Sequence, residues 1–526
     1  MELSLLSLCA KEVVSNHSAS LHWLRWVPRE LFGPLLEASF AGCKPLAVGE
    51  LVQKWPERHL RVGGRRKRGQ RPPNRLCVQA LLLAVVRGLS DIRCALRVLD
   101  LCGLQGEGPT VDSMGGWSLT IALCSMVVQA RAGERKRVCA LQQERGQHKR
   151  VKEENVDKRD HAEGSLGVFQ GPNLMNVEKR METKGRQEKM DGNRKECRMP
   201  LQVRADLFVN ARSLERVNAA LNTTGPLELQ CRSLHVEEIS VSSIGNLLDC
   251  LPHRGLVCVD VRYSHLGLSG LARLCHWLAA FPDLSSLCLH YCNLDLWCHL
   301  PMYEEALRDL TQGLAKLHGL RRLSLTALRL PSELREILSF LPQPLEVLEL
   351  PYLSLSLADL SYLSCSRHAP SLQQLDLSEN RLNAQTLPSV CRLLGQASGS
   401  LRHLSLSGCG LSDDLLGQLL PSLGCCSSLR SFDFALNPLS TASLVKVVRT
   451  LARLPSMQQV LYPNPLEDYQ LGLPVLPSSA QLLDWPLDES ADNITSDRLN
   501  KVLTECGRLD ILLTCDLLNY NRDLAE

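Results

Sequence analysis

The pattern L-x-x-L-x-L-x-x-(N/C/L)-x-L recurs seven times between Leu256 and Leu439, and it constrains this chain more than any other feature. Its clearest copies run through Leu372, Leu375, Leu377, Asn380 and Leu382, then Leu401, Leu404, Leu406, Cys409 and Leu411, then Leu429, Phe432, Phe434, Asn437 and Leu439. Four more begin at Leu256, Leu284, Leu320 and Leu345. Alternate residues of an extended strand point to one side, so leucines in this spacing converge on a core. The Asn or Cys then supplies a buried polar or thiol group to the backbone of the following turn. One such unit cannot bury its apolar face alone. Stacked units can, and the expected product is a curved solenoid with a parallel sheet along its inner face.

Successive first leucines lie 28, 36, 25, 27, 29 and 28 residues apart, which leaves room in each unit for a strand and an outer helix. Ser269 to Ala279, Tyr303 to Leu317 and Thr441 to Leu454 carry the i, i+3, i+4 apolar spacing of such helices. The fold class expected is α/β, a leucine-rich-repeat horseshoe of long, ribonuclease-inhibitor-like repeats preceded by an N-terminal helical docking segment. The 36-residue step places a surface loop at Leu294 to Met302.

Composition divides the chain further. Residues 1–60 form a helical segment, and residues 61–75 a basic, Gly/Pro-rich loop. Residues 76–131 make an N-terminal cap in which Leu96, Leu99, Leu101 and Leu104 keep a degenerate copy of the repeat. Residues 132–198 are dense in charge and poor in large apolar side chains, so they are expected to stay unfolded: too little surface can be buried to offset the ordering entropy. The repeats proper then occupy residues 201–461, and residues 462–526 read as an atypical C-terminal cap.

Several function classes drop out. The net charge of +3 on 526 residues gives no broad attraction to nucleic acid or membrane. No run of eighteen apolar residues occurs, and the opening MELSLLSLCAKEVV lacks a basic start and a small-residue cleavage site, which predicts a cytoplasmic protein with no membrane partner. The 22 cysteines are scattered along strands and helices and are read as free thiols. The run Arg65 to Arg68 leaves nuclear entry, and with it a role as a nuclear transcriptional cofactor, open. No aromatic residues are interleaved there to stack bases, so no nucleic acid is expected. Cys288, His290, Cys292, Cys298 and His299 cluster, but their strand phases disagree and no metal is assigned. There is no G-x-S-x-G, G-x-x-x-x-G-K-(S/T) or H-E-x-x-H, so no catalytic residue, no cofactor and no enzyme activity is expected.

Two apolar faces near the start invite partners. Leu5, Cys9 and Val13 recur every four residues after Ser4, with Leu8 beside them, and form one helical ridge whose small thiol permits close approach. It is either a docking ridge or an ordinary helix packed on its own domain. Val27, Leu31 and Leu35 share a second face in a helix begun by Pro28. On the inner sheet, the central outward positions are Asp260, Cys288, Ser324, Glu349, Asp376, Ser405 and Asp433, with His290 beside them. This mildly acidic row is either a habit of the repeat or a surface for a basic partner protein.

The stretch V-P-R-E-L-F-G-P-L-L from Val27, the later Trp55-Pro56 and L-R-V-L-D-L at Leu96 to Leu101 resemble the opening of the PRAME family. Gly33 stands where that family usually has proline, and residues 132–198 depart from its pattern. The two N-terminal faces, in this order, look like an elongin C box followed by a cullin-2 box. The resemblance implies docking of elongin C (with elongin B) on Ser4, Leu5, Leu8, Cys9 and Val13, docking of cullin-2 on Val27, Pro28, Leu31 and Leu35, and recruitment of a client protein for ubiquitylation. It also implies an alternative, stoichiometric restraint of NF-κB signalling through contact with an inhibitory-kappa-B kinase complex.

Overall fold

The computed structural model describes residues 4–15, 24, 26–62, 74–89, 95–104, 118–136, 200–293, 303–328, 334–488 and 494–517. The expected loop at Leu294 to Met302 lies outside these residues, as do 63–73 of the basic loop and 137–198 of the charged stretch.

Among the described residues thirteen strands pair in parallel, each with its neighbour in the chain, to make one sheet. They are β1 (His59–Arg61), β2 (Val98–Asp100), β3 (Leu201–Asn210), β4 (Leu227–Glu237), β5 (Cys258–Arg262), β6 (Ser286–His290), β7 (Arg322–Thr326), β8 (Val347–Glu349), β9 (Gln374–Asp376), β10 (His403–Ser405), β11 (Ser431–Asp433), β12 (Gln459–Leu461) and β13 (Leu512–Thr514). Parallel neighbours require a crossover, and helices supply it. Ahead of the sheet lie α1 (Leu5–Ser15), α2 (Phe32–Ala41) and α3 (Pro45–Gln53); α4 (Arg75–Gly88) and α5 (119–136) follow β1 and β2. From α6 (Leu214–Leu221) onward the crossovers are α7 (Val241–Asp249), α8 (Gly267–Leu278), α9 (Tyr303–Leu314), α10 (Leu334–Leu338), α11 (Leu357–Cys365), α12 (Leu387–Ala397), α13 (Asp413–Leu423) and α14 (Thr441–Ala452). The architecture is the α/β leucine-rich-repeat solenoid.

The repeat leucines account for its interior. Leu348, Leu375, Leu404 and Phe432 stand side by side in register and are almost fully buried. Helix leucines such as Leu363, Leu393 and Leu419 close over them, and one continuous apolar cluster runs from Ala10 to Ile511. In the turn after each strand, the Asn or Cys of the pattern faces inward and serves backbone. Asn437 Nδ2 donates to the carbonyls of Leu406 at 2.9 Å and Phe434 at 2.8 Å, while its Oδ1 accepts from Leu411 N at 2.9 Å. Asn380 makes the same bridge one step earlier, to Leu350 and from Leu355. A cysteine does part of that work with a weaker donor: the Cys409 thiol reaches the Leu377 carbonyl at 3.2 Å and the Cys292 thiol that of Val261 at 3.3 Å.

The N-terminal boundaries differ from a simple reading by composition. The sheet begins at His59, inside the helical segment, because Leu60 is buried beside Leu99 and carries the strand register outward. α5 continues to residue 136, so the first five residues of the charged stretch are helical, where Met126, Val127 and Ala130 anchor the preceding turns. At the other end β12 closes the repeat region and β13 carries the sheet into the C-terminal cap. Arg508 holds that end closed, donating to the carbonyls of Ala452, Leu454 and Met457 at 3.1, 2.7 and 2.7 Å, a cation placed where a helix C-terminus leaves acceptors unpaired.

The bridging Asn gives a test. Asn437→Leu removes its donors and its acceptor together and should cost on the order of 3 kcal/mol. Asn437→Cys, which copies the arrangement at Cys409, should cost markedly less. Hydrogen exchange of the Leu411 and Leu439 turns, with thermal unfolding of each variant, reads the difference; equal losses would refute the bridging role.

Candidate functional site

The N-terminal ridge is built by one short helix. Ser4 caps α1: its Oγ accepts from Ser7 N at 3.2 Å, satisfying one of the donors a helix start leaves unpaired. α1 packs through Ala10 and Val14, which are 5% and 2% exposed. The opposite side is open: Leu5 is 78% exposed, Leu8 48% and Val13 45%, and the Cys9 thiol is also exposed. Leu6, outside the four-residue spacing, is bared as well. Isolated surface leucines are ordinary; three or four on one helical face form an apolar strip ready for another protein.

The second face differs from its reading. Pro28 opens a single 3-10 turn, Arg29–Leu31, and the α-helix starts only at Phe32. Positions 27, 31 and 35 therefore do not lie on one α-helical stripe. Leu35 is 5% exposed and packs with Phe32 and Leu36 in the core, and Val27 and Leu31 are partly buried against the same cluster. Pro28 remains exposed. The large exposed side chain here is Trp26, which a search for four-residue spacing passes over because it precedes the helix.

The concave row also differs. Asp260, Cys288, Ser324, Glu349, Asp376, Ser405 and Asp433 do form one lateral row through paired strands. Yet each is between 1% and 8% exposed, so they do not present a free acidic strip. They are engaged with one another. Ser405 Oγ donates to Asp433 Oδ2 at 2.8 Å and lies 2.7 Å from Ser378 Oγ, and Asp376 Oδ1 accepts from Ser378 N at 2.9 Å. Glu349 receives Arg322 Nη2 at 2.9 Å and Gln374 Nε2 at 2.7 Å.

The densest part surrounds Asp260. Its Oδ2 accepts from Arg262 Nε and Nη2 at 2.9 and 2.6 Å and lies 3.1 Å from His235 Nδ1. Phe208 stacks on His235 with ring centroids 4.3 Å apart. His290, partly exposed, lies 2.8 Å from Thr326 Oγ1 through Nδ1 and 3.7 Å from Asp260 Oδ1 through Nε2. Burial pushes the Asp260 carboxyl up, but the hydrogen bonds from His235 and Arg262 and the charges of Arg262 and His290 outweigh it, so its pKa falls below the usual value. The Cys288 thiol goes the other way: contact with the Cys258 thiol and burial hold it well above the ordinary range. It is therefore protonated near neutrality, neither a ready nucleophile nor a metal-binding thiolate. Among the described residues no group of three His, Cys, Asp or Glu side chains could hold a metal ion. Nor is any described helix long and apolar enough to cross a membrane.

The C-terminal cap contributes a crossing. α15 (Ser479–Asp484) is capped by Ser478, and Ser479 Oγ donates to Glu379 Oε2 at 2.7 Å, a hundred residues back along the chain. Burial raises the Glu379 pKa, with the Ser479 bond acting against it. Gly408 makes space for that carboxylate: its φ is +63°, and a Cβ there would overlap Glu379 Oε1.

Comparison with known proteins finds two matching regions. Residues 3–107 match the model of the PRAME N-terminal domain and residues 201–479 that of the PRAME C-terminal domain. Leucine-rich repeat-containing protein 14 of Xenopus laevis is 34% identical, over 98% of this chain and 97% of its own length. The Homo sapiens protein of that name is 30% identical over 99% of both chains, and human PRAME family member 12 is 25% identical over 88% of this chain and 85% of its own. Among solved structures, the leucine-rich repeat-containing protein LegL7 of Legionella pneumophila matches 59% of this chain and 91% of its own at 17% identity, with a TM-score of 0.35.

Two predictions follow from this geometry. Leu5→Asp should leave thermal stability nearly unchanged, within about 0.5 kcal/mol, whereas Val14→Asp, which buries a charge, should lower it by several times that; equal effects would mean that the ridge is covered. Because the folded pKa of Asp260 is depressed, its contribution to stability is complete above the unfolded value of about 3.9 and fades as pH falls through the folded one. Asp260→Asn should therefore destabilise at neutral pH and flatten the acid limb of a melting-temperature profile below about pH 4.

Proposed function

Because this chain belongs to the PRAME family, we propose that it is a non-catalytic leucine-rich-repeat adaptor, the substrate-recognition subunit of a cullin-2 RING ubiquitin ligase. The observation that carries the reading is the sidedness of α1. Ala10 and Val14 fasten the helix to the core, and Leu5, Leu8, Cys9 and Val13 stand free on its other side. Such a helix suits insertion into an apolar groove of a partner: its leucines fill pockets and its small thiol lets the backbones approach. Elongin C, bound to elongin B, is the partner assigned to this ridge. Cullin-2 would then meet the neighbouring surface around Trp26, Pro28 and Arg29, since Leu35 is inside the core.

The chain's own contribution to ubiquitin transfer is proximity. A rigid solenoid fastened at one end holds a client's lysines near a conjugating enzyme, replacing a bimolecular encounter by a local one. No residue of this chain takes part in the bond-making step.

Capture of purified elongin B–elongin C by the full chain tests the assignment. Leu5→Asp combined with Cys9→Asp should abolish capture while leaving the melting temperature within a few degrees of the wild type. Undiminished capture by that variant would overturn the docking role of α1. A reading in which the chain restrains a signalling kinase complex by occupancy alone makes no use of the ridge; restraint undiminished in the same variant would favour it.

A further inference from the structure

No large apolar side chain is exposed in residues 358–470, and then five follow within seventeen residues: Leu471, Val475, Leu476, Leu483 and Leu487. A lone surface leucine needs no explanation; a cluster after so thoroughly covered a stretch does. The segment that carries it is firmly built. Tyr469 and Leu487 pair as an antiparallel bridge, Gln470 N donates to Pro486 O at 3.1 Å, Tyr469 Oη to Leu482 O at 3.0 Å and Trp485 Nε1 to Gln470 O at 3.1 Å. Ser479, bonded to Glu379, ties the segment to the repeats. The exposure therefore belongs to a fixed surface.

Between the chain at Gln470 and Leu471 and the outer side of α15 lies a cleft of about 340 Å³, room for a large apolar side chain. Leu471, Ala480, Trp485 and Pro486 supply its apolar lining, and Asp484 is the one charged residue among those that line it. On α15, Ala480 and Asp484 stand one turn apart on the side opposite the buried Leu482, and Leu483 flanks them three residues after Ala480. Asp484 is exposed, and among the described residues no cation pairs with it. Nor does the neighbouring sequence offer one: residues 454–497 hold seven Asp and Glu and no Lys, Arg or His, in a protein whose net charge is +3. An apolar cleft with an unanswered carboxylate selects its occupant by charge. Two copies of the cleft meeting face to face would set Asp484 against its own like, and an anionic membrane surface would be repelled. A cationic partner is attracted.

We propose that this cleft docks a partner protein through a short amphipathic segment: one large apolar side chain is seated between Leu471 and Trp485, and a Lys or Arg beside it pairs with Asp484. The half-buried indole of Trp485 adds cation–π attraction for the same charge, and Leu483 widens the apolar contact. Calling this partner the client rests on the adaptor reading; the chemistry of the cleft does not.

Fluorescence anisotropy of a labelled amphipathic peptide of leucine and lysine on the full chain tests it, beside one with glutamate for lysine and one with serine for leucine. Only the leucine–lysine peptide should bind well. Leu471→Ser and Asp484→Lys, both at exposed positions, should each weaken it about fivefold, and Asp484→Lys should improve binding of the leucine–glutamate peptide. Leu5→Asp, on the α1 ridge, should leave it unchanged. Equal binding of the leucine–glutamate peptide, or binding within twofold of wild type in both cleft variants, would overturn the cleft. So would a dimer, seen by light scattering, that Leu471→Ser returns to monomer, because the occupant would then be a second copy. Capture of elongin B–elongin C by Leu471→Ser is measured in parallel: intact capture with lost peptide binding supports the cleft, and failed capture in every form of the chain counts against the adaptor reading alone.

Discussion

Everything in this molecule depends on a single column of aliphatic side chains, one set per strand, buried behind a sheet in which all strands run the same way. A slip of one residue in any strand would turn its leucines out and its polar residues in, so the register is fixed by burial. That constraint then extends sideways. Because Leu348, Leu375 and Leu404 must stand abreast, Glu349, Asp376 and Ser405 must also, and so must the residues of the next turn. The rows on the concave face are a consequence of the core behind them.

Curvature follows from the same packing. Strands in a sheet sit about 4.8 Å apart, whereas packed helices need 8–10 Å. A layer of helices behind a layer of strands therefore bends with the strands inside. On the inner side, side chains crowd, and the central row closes over itself in hydrogen bonds such as Ser405 to Asp433 and Arg322 to Glu349. A partner entering the concavity would meet those groups already paired. The rim, where the chain turns at left-handed φ and side chains splay outward, is where Tyr263, Tyr291 and Tyr352 remain accessible. Crowding in the trough and openness at the rim are two results of one curvature.

The repeat leucines, the amphipathic crossovers and the Asn/Cys bridge were legible in the sequence because each is a short-range pattern with one physical meaning: Leu372 to Leu382 can be read without knowing what lies beside it. The exposed side of α1 was legible for the same reason, since a four-residue spacing defines a face. What was not legible depends on neighbours. Leu35 falls on the expected periodicity, but one 3-10 turn after Pro28 alters the phase and places it in the core. Asp260 alternates correctly with Val259 and Val261, yet its burial comes from His235 and Arg262, and nothing in the strand's own pattern announces the curvature that brings them together. The rim tyrosines lay beyond the strand, where the repeat pattern stops constraining the residue.

An adaptor must be stiff as well as sticky. If its two binding surfaces were joined by a hinge, a client's acceptor groups would sample a large volume and the gain from tethering would fall accordingly. Here Ala10 and Val14 of α1 belong to the same continuous apolar cluster as the repeat leucines, so the proposed docking ridge and the solenoid are parts of one packed body. Solenoid repeats contact mainly their neighbours, and the stiffness of such a body is only as good as its weakest interface. The inner hydrogen-bond row therefore has a structural use: by tying Asp433 to Ser405, and Arg322 to Glu349, it adds polar links between neighbouring strands on the side where bending would open a gap. The acidic and hydroxyl residues of the trough thus act within the fold, as links between neighbouring repeats.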